Sequence, residues 1–197
     1  MKDVAVDACC LINLLAADCV FPKPAFQKKK SKGLHRPHES NSLKLTLHVP
    51  GVVAGESLYI IQPDHDDSTK LLRTPIDLEP YFVAGAMRRC EIEGGAETTL
   101  FVEYARRLDD GEAACLALAK NRGWLLATDD KPATSLASRD GVIVLTTAEL
   151  LKLWATNAQA TKKEIAAALL NVQRFAKFVP RPDSPEAPWW LSHFANT

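Results

Sequence analysis

Short apolar runs alternate with Ala- and Leu-rich segments along this chain, and that alternation restricts the fold more than any other feature. Residues 4–17, 113–126 and 142–153 each join a strand-like run to a helix-like one. Strands that alternate with helices argue for a parallel sheet, because each crossover returns the chain to the same end of the sheet. The expected class is therefore α/β: a central, mostly parallel sheet flanked by helices in three layers, with a helical extension at the C-terminal end.

The stretch 108–133, LDDGEAACLALAKNRGWLLATDDKPA, reads as turn, helix, turn, strand and turn. Asp109, Asp110 and Gly111 have helix N-capping character, and Glu112 falls in the first turn, where the helix dipole favours a carboxylate. Residues 113–120 are strong helix formers and apolar on most sides, which predicts a buried helix that Gly123 ends. Trp124-Leu125-Leu126-Ala127 is a short apolar run of buried-strand type. It stops at Thr128-Asp129-Asp130, so carboxylates bracket one helix–strand unit, an arrangement suited to a cation site.

Earlier in the chain, Val4-Ala5-Val6-Asp7 is a strand ending in a carboxylate, followed by the apolar helix segment 8–17. An acid there lies where open α/β sheets bind ligands, and Asp also caps helices at such positions; both readings fit. Residues 43–49 alternate Leu and Val with Lys44, Thr46 and His48, predicting a strand with one exposed face. Residues 52–61, VVAGESLYII, read as a helix in which Glu56 is the lone charge, costly to bury without a partner. Residues 63–67 form an acidic turn in which His65 reads as a solvated side chain. Residues 76–83 are ambiguous, residues 88–92 read as a short strand ended by Gly94-Gly95, and residues 97–108 as an amphipathic helix. Further on, residues 142–145 read as a buried strand. Thr146 with Glu149, and Thr161 with Glu164, fit capping boxes before helices at 150–154 and 165–178. The Trp189-Trp190 pair should pack on the body or on a second copy.

Length and composition set outer bounds. A chain of 197 residues, 47% of them hydrophobic, suits one domain with appendages. Residues 1–155 are expected to form it, with 156–197 as a helical, Pro- and Trp-rich tail. The formal net charge is zero, so polyanion binding would need a local patch. Residues 21–42 supply one: Lys28, Lys29, Lys30, Lys32 and Arg36 occur with no acid between Asp18 and Glu39, reading as a loop-like basic insertion able to contact a phosphate backbone. The odd set Cys9, Cys10, Cys19, Cys90 and Cys115 lacks a C-x-x-C pair, which favours buried free thiols in a reducing cytosol over a disulfide or zinc framework. No apolar run approaches the roughly 18 residues of a membrane span, so a soluble cytoplasmic protein is expected.

Four acidic loci stand at element ends or alone in apolar settings: Asp7, Glu56, Glu112 and Asp129/Asp130. Gathered carboxylates repel one another unless a cation neutralises them, and hard oxygen donors favour Mg²⁺ or Mn²⁺. Such clusters are a common means of cutting phosphodiesters. The segments VAVDACCLINLL, GESLYI, GEAACLALA and LLATDD, in that order, resemble the PIN-domain family of metal-dependent ribonucleases, which includes the VapC toxins of bacterial and archaeal toxin–antitoxin pairs. The resemblance covers residues 1–20 and roughly 48–153; the basic insertion and the residues after 155 have no counterpart in a minimal PIN domain. It implies a PIN-like fold and a metal quartet of Asp7, Glu56, Glu112 and Asp130, with Asp129 a rival for the last place and Thr128 supporting the turn.

The expected function is accordingly a Mg²⁺- or Mn²⁺-dependent endoribonuclease with RNA as substrate. An antitoxin and a second copy are candidate partners, and no membrane is expected. The alternative is a catalytically silent PIN-like module that binds RNA or protein. A phosphoacceptor receiver domain fits less well, because Lys131 directly follows the acids. The absence of a P-loop, G-x-G-x-x-G and H-E-x-x-H argues against nucleotide, dinucleotide and zincin chemistry.

Overall fold

Val4, Ala5 and Val6 are completely buried, as expected of a strand covered on both faces. In the computed structural model, which describes residues 1–21, 43–64 and 70–194, they belong to β1 (Lys2–Val6), the middle strand of a five-stranded sheet. β2 (Leu45–Pro50) and β6 (Leu125–Ala127) flank it, with β5 (Arg88–Cys90) beyond β2 and β7 (Val144–Leu145) beyond β6. Every pairing in this sheet is parallel, with Val4 opposite Leu47 in β2 and Val6 opposite Ala127 in β6. The expected α/β class with a parallel sheet flanked by helices is therefore observed.

The described residues form two compact units that interleave along the sequence. One comprises Met1–Leu11, Lys44–Glu56 and Leu78–Thr147; the other comprises the described parts of Ile12–Leu43, Ser57–Asp77 and Ala148–Thr197. The first unit holds the whole parallel sheet, the start of α1 (Ala8–Ala16), and α2 (Gly51–Ala54), α3 (Glu79–Val83), α4 (Gly94–Tyr104), α5 (Asp110–Arg122) and α6 (Lys131–Arg139). Its core centres on α5, where every residue from Ala113 to Ala119 is buried. Gly123 ends α5 with φ 66°, a left-handed conformation that costs glycine nothing, as its place in the sequence predicted.

The second unit contains an antiparallel hairpin of β3 (Tyr59–Pro63) and β4 (Leu71–Pro75), most of α7 (Thr147–Asn157), α8 (Lys162–Asn171) with a π-helical turn at Val172–Ala176, and α9 (Ala187–Ser192). The capping box that begins α8 forms as predicted: the Thr161 side chain accepts from Glu164 N–H, and the Glu164 carboxylate accepts from Thr161 N–H. Trp190 is wholly buried, edge-on to Phe178 with ring centroids 5.8 Å apart, so one half of the Trp pair packs within this unit. No helix among the described residues is long and apolar enough to cross a membrane.

Several local expectations are corrected. β2 has no solvent face: it lies between β1 and β5, and His48 is buried, stacked on Trp124 at 4.0 Å with Nε2 2.8 Å from Asp3 Oδ1. The helix expected over 52–61 is only the four residues of α2; the β-branched and aromatic run Tyr59-Ile60-Ile61 goes into β3 instead. The helix expected at 97–108 begins at Gly94, whose φ is 71°, and the helix expected at 165–178 gives way to the π turn. β7 is half-exposed at the sheet edge, with Ile143 beside it 61% exposed. Cys9, expected to be buried, is exposed.

Candidate metal centre

The sheet order reverses direction at β1, since the chain adds β2 and β5 on one side of it and β6 and β7 on the other. Open parallel sheets bind ligands beyond the carboxyl ends of the strands at such a switch point. The residues that follow these two strand ends are Asp7 after β1, and Thr128, Asp129 and Asp130 after β6. The Asp7 N–H donates to Ala127 O at 3.1 Å, tying the two ends together.

Asp7 is 2% exposed. Its Oδ1 accepts from Cys10 N–H at 2.9 Å, so it does serve α1 as a cap, and both its oxygens lie 3.2 Å from the Cys9 thiol. Burial lifts its pKa to about 6; hydrogen bonds from Thr128, Cys10 and Cys9 pull it down, and the charge of Asp129 pushes it up. The cap of α1 thus stands just beyond the carboxyl end of β1, at the switch point.

Glu112 is half-buried in the first turn of α5. Asp109 is the N-cap of that helix and accepts from Glu112 N–H at 2.8 Å. Burial raises the Glu112 pKa to about 7, with Asp109, Asp130 and Asp7 all adding to the rise. Glu56 follows α2 and is exposed, yet its pKa is also raised, by partial burial and by Asp109. It lies over the first turn of α5: a β-carbon on Gly111 would collide with Glu56 Oε1. Glycine at 111 is what leaves room for that carboxylate.

The two acids after β6 point to different partners. Asp130 caps α6, its Oδ1 accepting from Ala133 N–H at 2.7 Å, and its charge is felt by Glu112. Asp129 Oδ1 accepts from Thr147 N–H at 3.0 Å, while Oδ2 accepts from Thr147 Oγ1 at 2.5 Å and faces Cys10 Sγ at 3.5 Å. Asp130 therefore stands on the Glu112 side of the group and Asp129 on the Asp7 side. Thr128 Oγ1 accepts from Asp130 N–H at 3.1 Å, the turn support expected of it.

The five carboxylates singled out by the sequence thus gather at one end of the sheet, joined by Asp109, which was read only as a cap. They are not drawn tightly together. Among the described residues, the group of three metal-competent side chains whose donor atoms lie within 4.8 Å of one another is Asp7, Cys9 and Cys10, and no three of the carboxylates do so. Mutual repulsion keeps bare acids apart, and backbone N–H groups hold Asp7, Asp129 and Asp130 in place. Cys9 and Cys10 beside Asp7, and Thr147 behind Asp129, were missed as site residues; the adjacency D-A-C-C was the available signal for the thiols. The basic residues Lys28, Lys29, Lys30, Lys32 and Arg36, and His65, lie outside the described residues. Compared with family models, with curated proteins and with solved structures, the chain matches none.

Proposed function

We propose that this chain is a Mg²⁺- or Mn²⁺-dependent endoribonuclease of the PIN type, hydrolysing RNA phosphodiester bonds at the acid group of Asp7, Glu56, Glu112, Asp130 and Asp129. One observation carries the reading. Acids from four separate stretches stand close enough that Glu112 feels Asp109, Asp130 and Asp7, Asp7 feels Asp129, and Glu56 feels Asp109. A purely structural role would gain nothing from that repulsion, whereas a site for a hard divalent cation requires it.

The donor chemistry fits such a cation: the side chains are carboxylates, and three of them, Asp7, Glu56 and Glu112, have pKa values raised by burial and neighbouring negative charge. When bound, Mg²⁺ or Mn²⁺ would supply activation of water and stabilisation of the leaving oxygen. Asp7, fixed by Cys10 N–H and buried, is the anchoring ligand. Asp130 is held by the N-terminus of α6, and the backbone of Glu112 is fixed in the first turn of α5 by Asp109. Glu56, exposed above Gly111, is the acid best placed to orient a water from the solvent side. A cytoplasmic toxin with an antitoxin partner is the biological setting this reading implies.

The test is RNA cleavage by the purified chain with Mn²⁺, with Mg²⁺ and with a chelator. Cleavage should require the cation and fall by at least about a hundredfold in Asp7→Asn. Cleavage that persists in chelator, or an Asp7→Asn variant that cuts at the original rate, contradicts the proposal. Mn²⁺ binding without cleavage of any RNA would favour the silent RNA- or protein-binding module.

A further inference from the structure

We infer that Asp7, Cys9 and Cys10 form a second, softer cation site at the start of α1, selective for a thiophilic divalent ion of the Zn²⁺ type. Their donor atoms lie within 4.8 Å of one another, a convergence the hard-donor carboxylates do not reach among the described residues. Two thiol sulfurs and one carboxylate oxygen are the donor set Zn²⁺ takes, and Mg²⁺ has little affinity for sulfur.

The geometry is close to what tetrahedral coordination needs. Ligands at about 2.3 Å for sulfur and about 2.0 Å for oxygen stand roughly 3.5–3.8 Å apart, so donors that lie within 4.8 Å of one another need shift by no more than about an ångström. Cys9 Sγ already lies 3.2 Å from both Asp7 oxygens. The first turn of α1 and the Cys10 N–H bond fix Asp7 and Cys10, while exposed Cys9 provides the route of entry. A fourth donor stands beside the group: Asp129 Oδ2 is 3.5 Å from Cys10 Sγ, and Thr147 holds that carboxylate in place. Each thiol gives up its proton to solvent on coordination, so one cation displaces two protons.

The three ligands occupy positions i, i+2 and i+3 of one helix start, and the fourth place falls to Asp129 or to an exchangeable water. Occupancy by Zn²⁺ engages Asp7. Resting on the nuclease reading above, it therefore inhibits Mg²⁺- or Mn²⁺-supported cleavage.

The test titrates Co²⁺ into the full, metal-free, reduced chain and follows thiolate-to-cobalt charge-transfer absorption. A band that saturates at one Co²⁺ per chain, is displaced by Zn²⁺ but not by excess Mg²⁺, and is lost in Cys9→Ser is expected. Because Cys9 is exposed, that variant should fold; circular dichroism checks it, and Cys10→Ser is the second variant. No charge-transfer band, or one that persists in Cys9→Ser/Cys10→Ser, overturns the inference. Glu112→Gln should keep the band. RNA cleavage without the band overturns this inference alone, and the band in a chain that cuts no RNA overturns the nuclease reading alone. In the active chain, Cys9→Ser should need at least about tenfold more Zn²⁺ than the wild type to halve its own Mn²⁺-supported rate.

Discussion

Asp7 meets two demands that usually fall on separate residues: its carboxylate caps α1 and is also the most buried acid of the cluster. Its ordinary pKa of 3.8 rises to about 6 in the folded chain. Between those values the folded chain holds a proton that the unfolded chain has lost, so stability falls as pH rises through that window. Without divalent cations, acidification from about pH 7 to about pH 5 should stabilise the protein by about 1 kcal/mol through Asp7, and Glu112 acts in the same direction. Thermal unfolding in chelator should show the melting temperature rising over this interval and a smaller rise in Asp7→Asn; a fall contradicts it. Gly111 gives a second residue-level prediction. An added methyl meets the movable end of Glu56 and Val53 Cγ2 at 3.3 Å, so Gly111→Ala should cost under about 1 kcal/mol in urea unfolding. Cleavage should nevertheless drop by about tenfold or more, because Glu56 is displaced; unchanged cleavage in a folded variant would show that Glu56 does not act from this position.

Elements with a strong local signature were legible in the sequence, and those decided by their neighbours were not. α5 follows from its Ala and Leu content between a capping Asp109 and Gly123, and α8 from its Thr161 and Glu164 box. β2 alternates like a half-exposed strand, but its place between β1 and β5, with Trp124 over His48, is a tertiary fact that periodicity does not carry. α6 went unread because Lys131, Pro132, Thr134 and Ser135 look like turn residues; the information lay in Asp130 as N-cap with Pro just inside the helix. The burial of Glu97 in α4 was not legible for a similar reason. Glu97, 3% exposed, is held by Arg122 at 2.7 Å and by Asn121, a pairing across 25 residues. Arg122 pulls the Glu97 pKa down to about 2, so this stabilisation is present above its ordinary 4.5 and disappears as pH falls through that range. Arg122→Ala leaves a buried charge without its counter-ion and should cost about 3 kcal/mol at neutral pH, read from the urea midpoint; a cost below about 1 kcal/mol would contradict it. Thr161→Ala should cost about 1 kcal/mol through the lost cap of α8.

Across the whole molecule, the acids legible in the sequence come together because the sheet order turns at β1, which brings the ends of β1 and β6 side by side. Order along the chain pointed to Asp7, Glu56, Glu112 and the Asp129-Asp130 pair. It did not distribute the pair, one acid facing Glu112 and the other Thr147, nor did it reveal the thiols beside Asp7, since those relations depend on how α1, α6 and α7 begin. The central claim is that these carboxylates act together on one hard divalent cation. Isothermal titration of Mn²⁺ into the metal-free chain tests it most directly, in the wild type, Asp7→Asn, Glu112→Gln and Cys9→Ser. One cation per chain, bound by the wild type and Cys9→Ser and lost or weakened at least about tenfold in Asp7→Asn and Glu112→Gln, is the expected result. No Mn²⁺ binding by the wild type, or binding that ignores both acid substitutions, would contradict it.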